Sequence, residues 1–197
     1  MQAIDKVSPG IVDWKKTNKA PVSSKFKKVE NCNYTLILGK SLKFSLVGIG
    51  GSDIHDANKT LTLGFVWQLM REHVIQTLKT LSNNGKDITD QDMIQWANQS
   101  VISTGKATKM ANFRDSSLAT SHFFLDLLAS IKPGIVNPDL VQAGGNDEEK
   151  KMNAKYAISI ARKLGATIFL APEDILEVKP KMILTFVGAL MAVAKTI

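Results

Sequence analysis

Apolar residues recur along this chain at helical spacing. Over 29–42 they fall at Val29, Cys32, Leu36 and Leu42, with Gly39 late in the run. Over 152–164 the design returns with Ala154, Ala157, Ile158, Ala161 and Leu164, followed by Gly165 where a helix C-terminus suits glycine. Each run leads into a short apolar piece, residues 44–49 and 167–170. These pieces are too short, and too poor in pairing partners, for a sheet, so they read as extended connectors. Two polar stretches with a central Asp-Ile pair, Asp53-Ile54 and Asp174-Ile175, predict one short helical turn each. Long apolar helices are predicted after them, over 61–81 and 181–195. Pro180 suits the start of the second, where its missing N–H costs little.

Between these sets lies a polar break, Ser82-Asn-Asn-Gly-Lys86, which reads as an interdomain linker. Thr89 then predicts an N-cap, followed by early acids that suit the helix dipole. That helix runs to about Ser103 with Met93, Trp96, Ala97 and Val101 on one side. Residues 104–115 form a basic, turn-rich loop. A further helix is predicted over 121–131, with Phe124, Leu127, Leu128 and Ile131 apolar. Gly144-Gly145 reads as a loop into the next helix, capped by Asn146 or Asp147.

The paired elements form an internal repeat. Asn31 falls on Asn153, Tyr34 on Tyr156, Leu42 on Leu164 and Asp53 on Asp174. Leu63, Phe65, Val66, Leu69 and Met70 fall on Leu184, Phe186, Val187, Leu190 and Met191. Upstream, Pro9-Gly-Ile-Val12 falls on Pro133-Gly-Ile-Val136. A period of roughly 120 residues is too long for a solenoid unit and marks two copies of one domain. The second copy has roughly forty residues ahead of its Pro-Gly-Ile-Val, whereas the first has eight. The expectation is therefore an all-α protein of two tandem domains, the first truncated at its N-terminus. The boundaries are 1–81, a linker at 82–86, and 87–197.

Composition narrows the function classes. Of 197 residues, 44% are hydrophobic and 22% charged, as in an ordinary globular protein. The apolar run 182–194 is too short to span a membrane and contains Gly188, so it reads as a buried helix. The first residues carry no apolar signal-peptide core, and membrane insertion is not expected. Cys32 is the single cysteine, which rules out an intrachain disulfide and fits a reducing compartment. Its place opposite Ala154 reads as a small core residue. The net charge of +7 is unevenly held. Residues 1–85 carry 12 basic against 6 acidic side chains, and residues 86–197 carry 13 against 12. The first copy thus carries the positive field, which favours an acidic partner.

Candidate chemistry is sparse. Gly48-Ile-Gly-Gly-Ser52 lacks both the dinucleotide glycine spacing and a phosphate-loop lysine. His55, His73 and His122 are scattered without metal-ligand spacing. Asp53 and Asp56 invite an acid/base reading, yet Asp53 recurs as Asp174, which helix capping explains more simply. Asp147-Glu-Glu149 lacks the calcium-loop spacing. No nucleophile, base and orienter come together. No catalytic, cofactor or metal site is expected, and no nucleic-acid motif is present.

The residues that define the repeat resemble tandem calponin-homology domains. The pieces are Lys27-Lys-Val-Glu-Asn-Cys-Asn-Tyr34, Leu46-Val-Gly-Ile-Gly50 with Asp53-Ile54, and Asn58 through Met70. The match is closer still to the C-terminal part of the fimbrin (plastin) family, in a fungal-like form. Its phrases are VDWKKTNK, ENCNY, TLTLGFVWQLMR, NAKYAISIARKLGA and EVKPKM, and the resemblance spans essentially the whole chain. It implies the later part of a third calponin-homology domain, the linker, and a complete fourth. It also implies a non-catalytic protein of the cytoplasmic actin cytoskeleton, with filamentous actin as partner and cross-linking or bundling as the role. The family's actin-binding helix at the start of the pair would be missing. That implies weakened actin binding, exposed apolar surface, and domain-swapped or weak self-association. The alternative is a structural module that positions its neighbour and binds actin weakly or not at all.

Two family segments can be carried over: the last helix of the first copy, 61–79, and the first helix of the second, 89–103. Positions apolar in both copies, such as Leu63, Phe65, Val66 and Leu69, read as shared core. Positions that differ are freer to bind. Trp67 falls on Gly188, Gln68 on Ala189 and Arg71 on Ala192, and Trp and Arg are favoured interface anchors. Packing against the neighbouring domain would equally explain Trp67, and solvation Arg71. Lys59 and Lys79 can meet acidic actin through long-range attraction. Gln91, Gln95 and Asn98 are candidates by position, and Lys106 and Lys109 follow in the basic loop.

Overall fold

The computed structural model describes residues 1–80 and 88–197; the linker expected at 82–86 lies outside the described residues. Helices and loops make up all the described residues, with no strand among them. The chain divides into two compact units, Met1–His73 and Val74–Ile197.

The first unit holds α1 (Gln2–Val7), α2 (Lys25–Ser41), α3 (Gly51–His55) and α4 (Lys59–Thr80) as far as His73. α2 starts four residues before the expected run, because its first turn faces solvent, three lysines with a Phe26 that is itself 84% exposed, and carries no buried apolar position. The core joins Ile4, Leu36, Leu38, Phe65 and Leu69, and the Phe44 ring meets Phe65 edge-on at 5.8 Å. Gly39 explains itself here: a Cβ would lie 2.7 Å from the Phe65 ring. α3 is the short turn expected around Asp53-Ile54.

The second unit contains the last residues of α4, then α5 (Asp90–Ile102), α6 (His122–Ile131), α7 (Asp147–Lys163), α8 (Pro172–Leu176) and α9 (Pro180–Ala194). Thr89 caps α5 reciprocally: its hydroxyl accepts from the Asp92 N–H at 3.2 Å, and the Thr89 N–H donates to the Asp92 carboxylate at 2.8 Å. Asn146, rather than Asp147, caps α7 through its Oδ1 on the Glu149 N–H. The core is built round Phe124 of α6, whose ring meets Phe186 of α9 edge-on at 5.3 Å. α9 is buried almost all round, which is why its sequence is apolar on every face. Gly188 lies where the Val74 side chain of α4 packs, so a Cβ has no room there.

Two expectations about the core fail. Leu63 and Val66 are 55% and 40% exposed, while their repeat partners Leu184 and Val187 are 4% and 0% exposed. In the second unit α5 and α6 pack over the fold and Phe124 seats on α9. The first unit has no counterpart of α5 among its described residues, and α1 answers only to the tail of α6. Cys32 is half-buried rather than a core residue. Burial is still the chief influence on its thiol, raising its pKa.

Candidate functional site

The recurrent polar residues turn out to be locks that hold loops onto helices. Asn31 accepts from the Asn18 N–H at 2.9 Å and donates back to the Asn18 carbonyl at 2.9 Å. Asn153 makes the same pair with Gln142, at 2.8 and 2.9 Å. The Tyr34 hydroxyl accepts from the Asp13 N–H at 2.9 Å, and the Tyr156 hydroxyl from the Asn137 N–H at 2.8 Å. Asp53 accepts from the Gly50 N–H and Asp174 from the Ala171 N–H, each at 2.8 Å. Asp53 therefore satisfies the N-terminus of α3, as the capping reading expects. The glycine-rich loop offers no free cradle at its centre, since the Gly51 N–H donates to Asn33 and that of Gly50 to Asp53.

The candidate residues divide by what their side chains already do. Gln68 grips the Ser45 backbone, its Oε1 accepting from the N–H at 2.7 Å and its Nε2 donating to the carbonyl at 3.0 Å. Asn98 holds Met110 the same way, at 2.8 and 2.9 Å. Both amides are engaged in fixing loops. Trp67, Arg71 and Lys79 are half-buried. Lys59, Gln91 and Gln95 are exposed. Lys59 opens α4, where Asn58 accepts from the Leu61 N–H at 3.2 Å.

Two surfaces emerge, one on each unit. On α4, Lys59, Leu63 and Val66 fall at i, i+4 and i+7, one face of a helix, and all three are exposed. On α5, Gln91, Gln95, Gln99 and Ile102 fall at i, i+4, i+8 and i+11; Ile102 is 61% exposed. Leu63 and Val66, expected as shared core because both copies are apolar there, lie instead on the exposed face of α4. Sequence reasoning missed Gln99 and Ile102 although the same four-residue stride from Gln91 pointed to them.

The titratable groups with displaced pKa values lie off both surfaces. The His55 hydrogen bond and nearby Lys25 hold Asp56 below its ordinary value. The Ala111 N–H and the Ser117 hydroxyl do the same for Asp115. Among the described residues no three His, Cys, Asp or Glu side chains gather as a metal would require. No described helix is long and apolar enough to cross a membrane.

The calponin homology (CH) domain family matches residues 1–75 and 87–196. This chain belongs to that family. Its calponin-homology sequence is 56% identical to fimbrin-2 of Arabidopsis thaliana over 97% of this chain and 30% of the relative. It is 51% identical to fimbrin of Schizosaccharomyces pombe over 98% and 32% of the two chains. It is 45% identical to human plastin-3 over 91% and 29%. The chain thus spans about a third of the length of these relatives. The crystal structure of the actin-crosslinking core of S. pombe fimbrin superposes with a TM-score of 0.82 at 49% identity, covering 97% of this chain and 40% of that one. The tandem calponin-homology reading of the repeat and the fimbrin resemblance both hold.

Proposed function

We propose that this chain binds actin filaments in the cytoplasm, as one part of a fimbrin-like cross-linker, by contact and without chemistry. The observation that carries the reading is the match of nearly the whole chain to a solved actin-crosslinking core. The exposed face of α5 supports it, with Gln91 and Gln95 leading to Ile102. So does Lys59 on the strongly basic first part of the chain, since cations there steer toward an acidic filament. In this reading residues 1–81 are the later part of a calponin-homology domain, 82–86 a linker, and 87–197 a second domain of the kind. Cross-linking requires a second filament site, by the arithmetic of bivalency.

Co-sedimentation with filamentous actin tests this. The chain is expected in the pellet, with Lys59→Glu and the double variant Gln91→Glu, Gln95→Glu each at least about tenfold weaker. All three positions are exposed, so folding is unaffected. Absence of the unaltered chain from the pellet leaves the scaffold reading in its place.

One observation favours a second property, weak self-association. Leu63 and Val66 are 55% and 40% exposed, while their counterparts Leu184 and Val187 are buried. A second copy of the chain can cover them.

A further inference from the structure

The two copies pin the same loop to the same helix yet carry opposite charge there. In the first unit the Asp13 N–H donates to the Tyr34 hydroxyl at 2.9 Å, and the Asn18 side chain donates to the Lys27 carbonyl at 3.3 Å and to Glu30 at 3.0 Å. The loop carrying Trp14, Lys15 and Lys19 therefore runs along the N-terminal half of α2. The second unit repeats the locks, with the Asn137 N–H on Tyr156 at 2.8 Å and Gln142 on Asn153. Residues 13–30 nevertheless hold six lysines against two acids, while the matching residues 137–152 hold four acids against two lysines. Trp14-Lys15-Lys16 answers to Pro138-Asp139-Leu140, and Lys25-Phe26-Lys27-Lys28 to Asp147-Glu148-Glu149-Lys150. Both versions make the same locks, so the fold does not call for the lysines. In α2 they even run against it, since cations are unfavourable in the first turn of a helix and this one has no acid there.

The surface is aromatic as well as basic. Phe26 is 84% exposed and Trp14 is 44% exposed. Lys15, Lys19, Lys27 and Lys28 are exposed and make no ion pair among the described residues. The two acids of the stretch are already engaged, Asp13 by the Lys15 N–H at 3.0 Å and Glu30 by Asn18. A partner protein would have to offer a pocket for each ring and an acid for each lysine. An anionic bilayer sets no such register. Aromatic rings settle at headgroup depth wherever they stand out, and flexible lysine stems reach the phosphates.

The geometry points to this surface, with Trp14, Lys15 and Lys19 on the loop and Phe26, Lys27 and Lys28 on α2, as a docking face for an anionic lipid membrane. The protein rests on the bilayer there, with its rings among the headgroups and no segment spanning it. The face is independent of the actin reading. It belongs to the first copy alone, since the second presents acids at the matching positions.

Flotation of the full chain with vesicles tests it, with phosphatidylcholine containing about 30% phosphatidylserine as probe and pure phosphatidylcholine as control. The chain is expected to float with the first and at least about tenfold more weakly with the second, and added salt weakens the binding. Phe26→Ser, and Lys27→Glu with Lys28→Glu, each weaken it by at least about tenfold. These positions are exposed and the new acids suit the first turn of α2, so a loss is not unfolding. Tryptophan emission is expected to move to shorter wavelength on the vesicles. That shift is lost in Trp14→Phe, which keeps an aromatic ring and floats as before. No flotation with phosphatidylserine overturns the proposal, as does equal flotation with pure phosphatidylcholine, unchanged flotation in either variant, or an undiminished shift in Trp14→Phe. So does loss of actin pelleting in the two variants without vesicle binding by the unaltered chain, which assigns the face to the filament.

Discussion

Asn153 holds Gln142 by both ends of its amide, accepting from the N–H at 2.8 Å and donating to the carbonyl at 2.9 Å. The same Nδ2 also donates to the Thr120 carbonyl at 3.0 Å, and the residue is fully buried. Asn153→Ala leaves the Gln142 N–H and the Thr120 carbonyl unpaired at a fully buried site, the Gln142 carbonyl keeping His122 Nε2 at 2.9 Å, while Asn31→Ala leaves both Asn18 backbone groups unpaired at a half-buried one. Losses of about 2–3 kcal/mol and about 1 kcal/mol are expected. Urea unfolding of the two variants measures both, and equal small losses would show that the loops are held by something else.

Gly188→Ala is expected to cost about 1–3 kcal/mol, the ordinary penalty for overpacking, because the new methyl meets Val74. Trimming the obstacle with Val74→Ala in the same chain should recover part of that loss, so the pair is non-additive in a double-mutant cycle. Strict additivity would contradict the packing of α4 on α9.

Asp115 gives a signed pH dependence. Its carboxylate accepts from the Ala111 N–H at 2.9 Å and from the N–H and hydroxyl of Ser117 at 3.0 and 2.7 Å. These hydrogen bonds hold its folded pKa below the ordinary 3.8. A depressed carboxyl pKa contributes stability that is fully present above 3.8 and is lost as pH falls through the folded value. Thermal melts taken from about pH 5 downward should show a slope that flattens in Asp115→Asn. An unchanged slope would mean that other acids govern acid unfolding.

Leu63 and Leu184 occupy one place in the repeat with opposite fates. Leu184→Ala should cost about 2–5 kcal/mol, as for a buried leucine. Leu63→Ala should stay within about 0.5 kcal/mol. Leu63→Ala with Val66→Ala should instead reduce self-association, read by sedimentation velocity across a concentration series. Matching stability losses at the two leucines would place Leu63 in a core after all.

The helices were legible because their signals are local. Thr89 with Asp92, Pro180 at its helix start and the repeated Asp53 and Asp174 act within one turn, so neighbouring residues suffice to read them. α2 was legible except for its first turn, which faces solvent and has no apolar period. The candidate site was half legible. Gln91, Gln95 and Lys59 are exposed, but Gln68 and Asn98 carry amide chemistry like that of the two glutamines and spend it on Ser45 and Met110. Those partners are 23 and 12 residues away, beyond any local pattern.

By itself the sequence determined the all-α class, the twofold repeat and the family, because each rests on residue order and short-range hydrogen bonding. Tertiary structure alone decided which apolar residues are covered and which polar ones are committed. Burial depends on what packs from elsewhere in the chain: Val187 is buried on α9, against which α5 packs, and Val66 is exposed in a unit whose described residues hold no counterpart of α5.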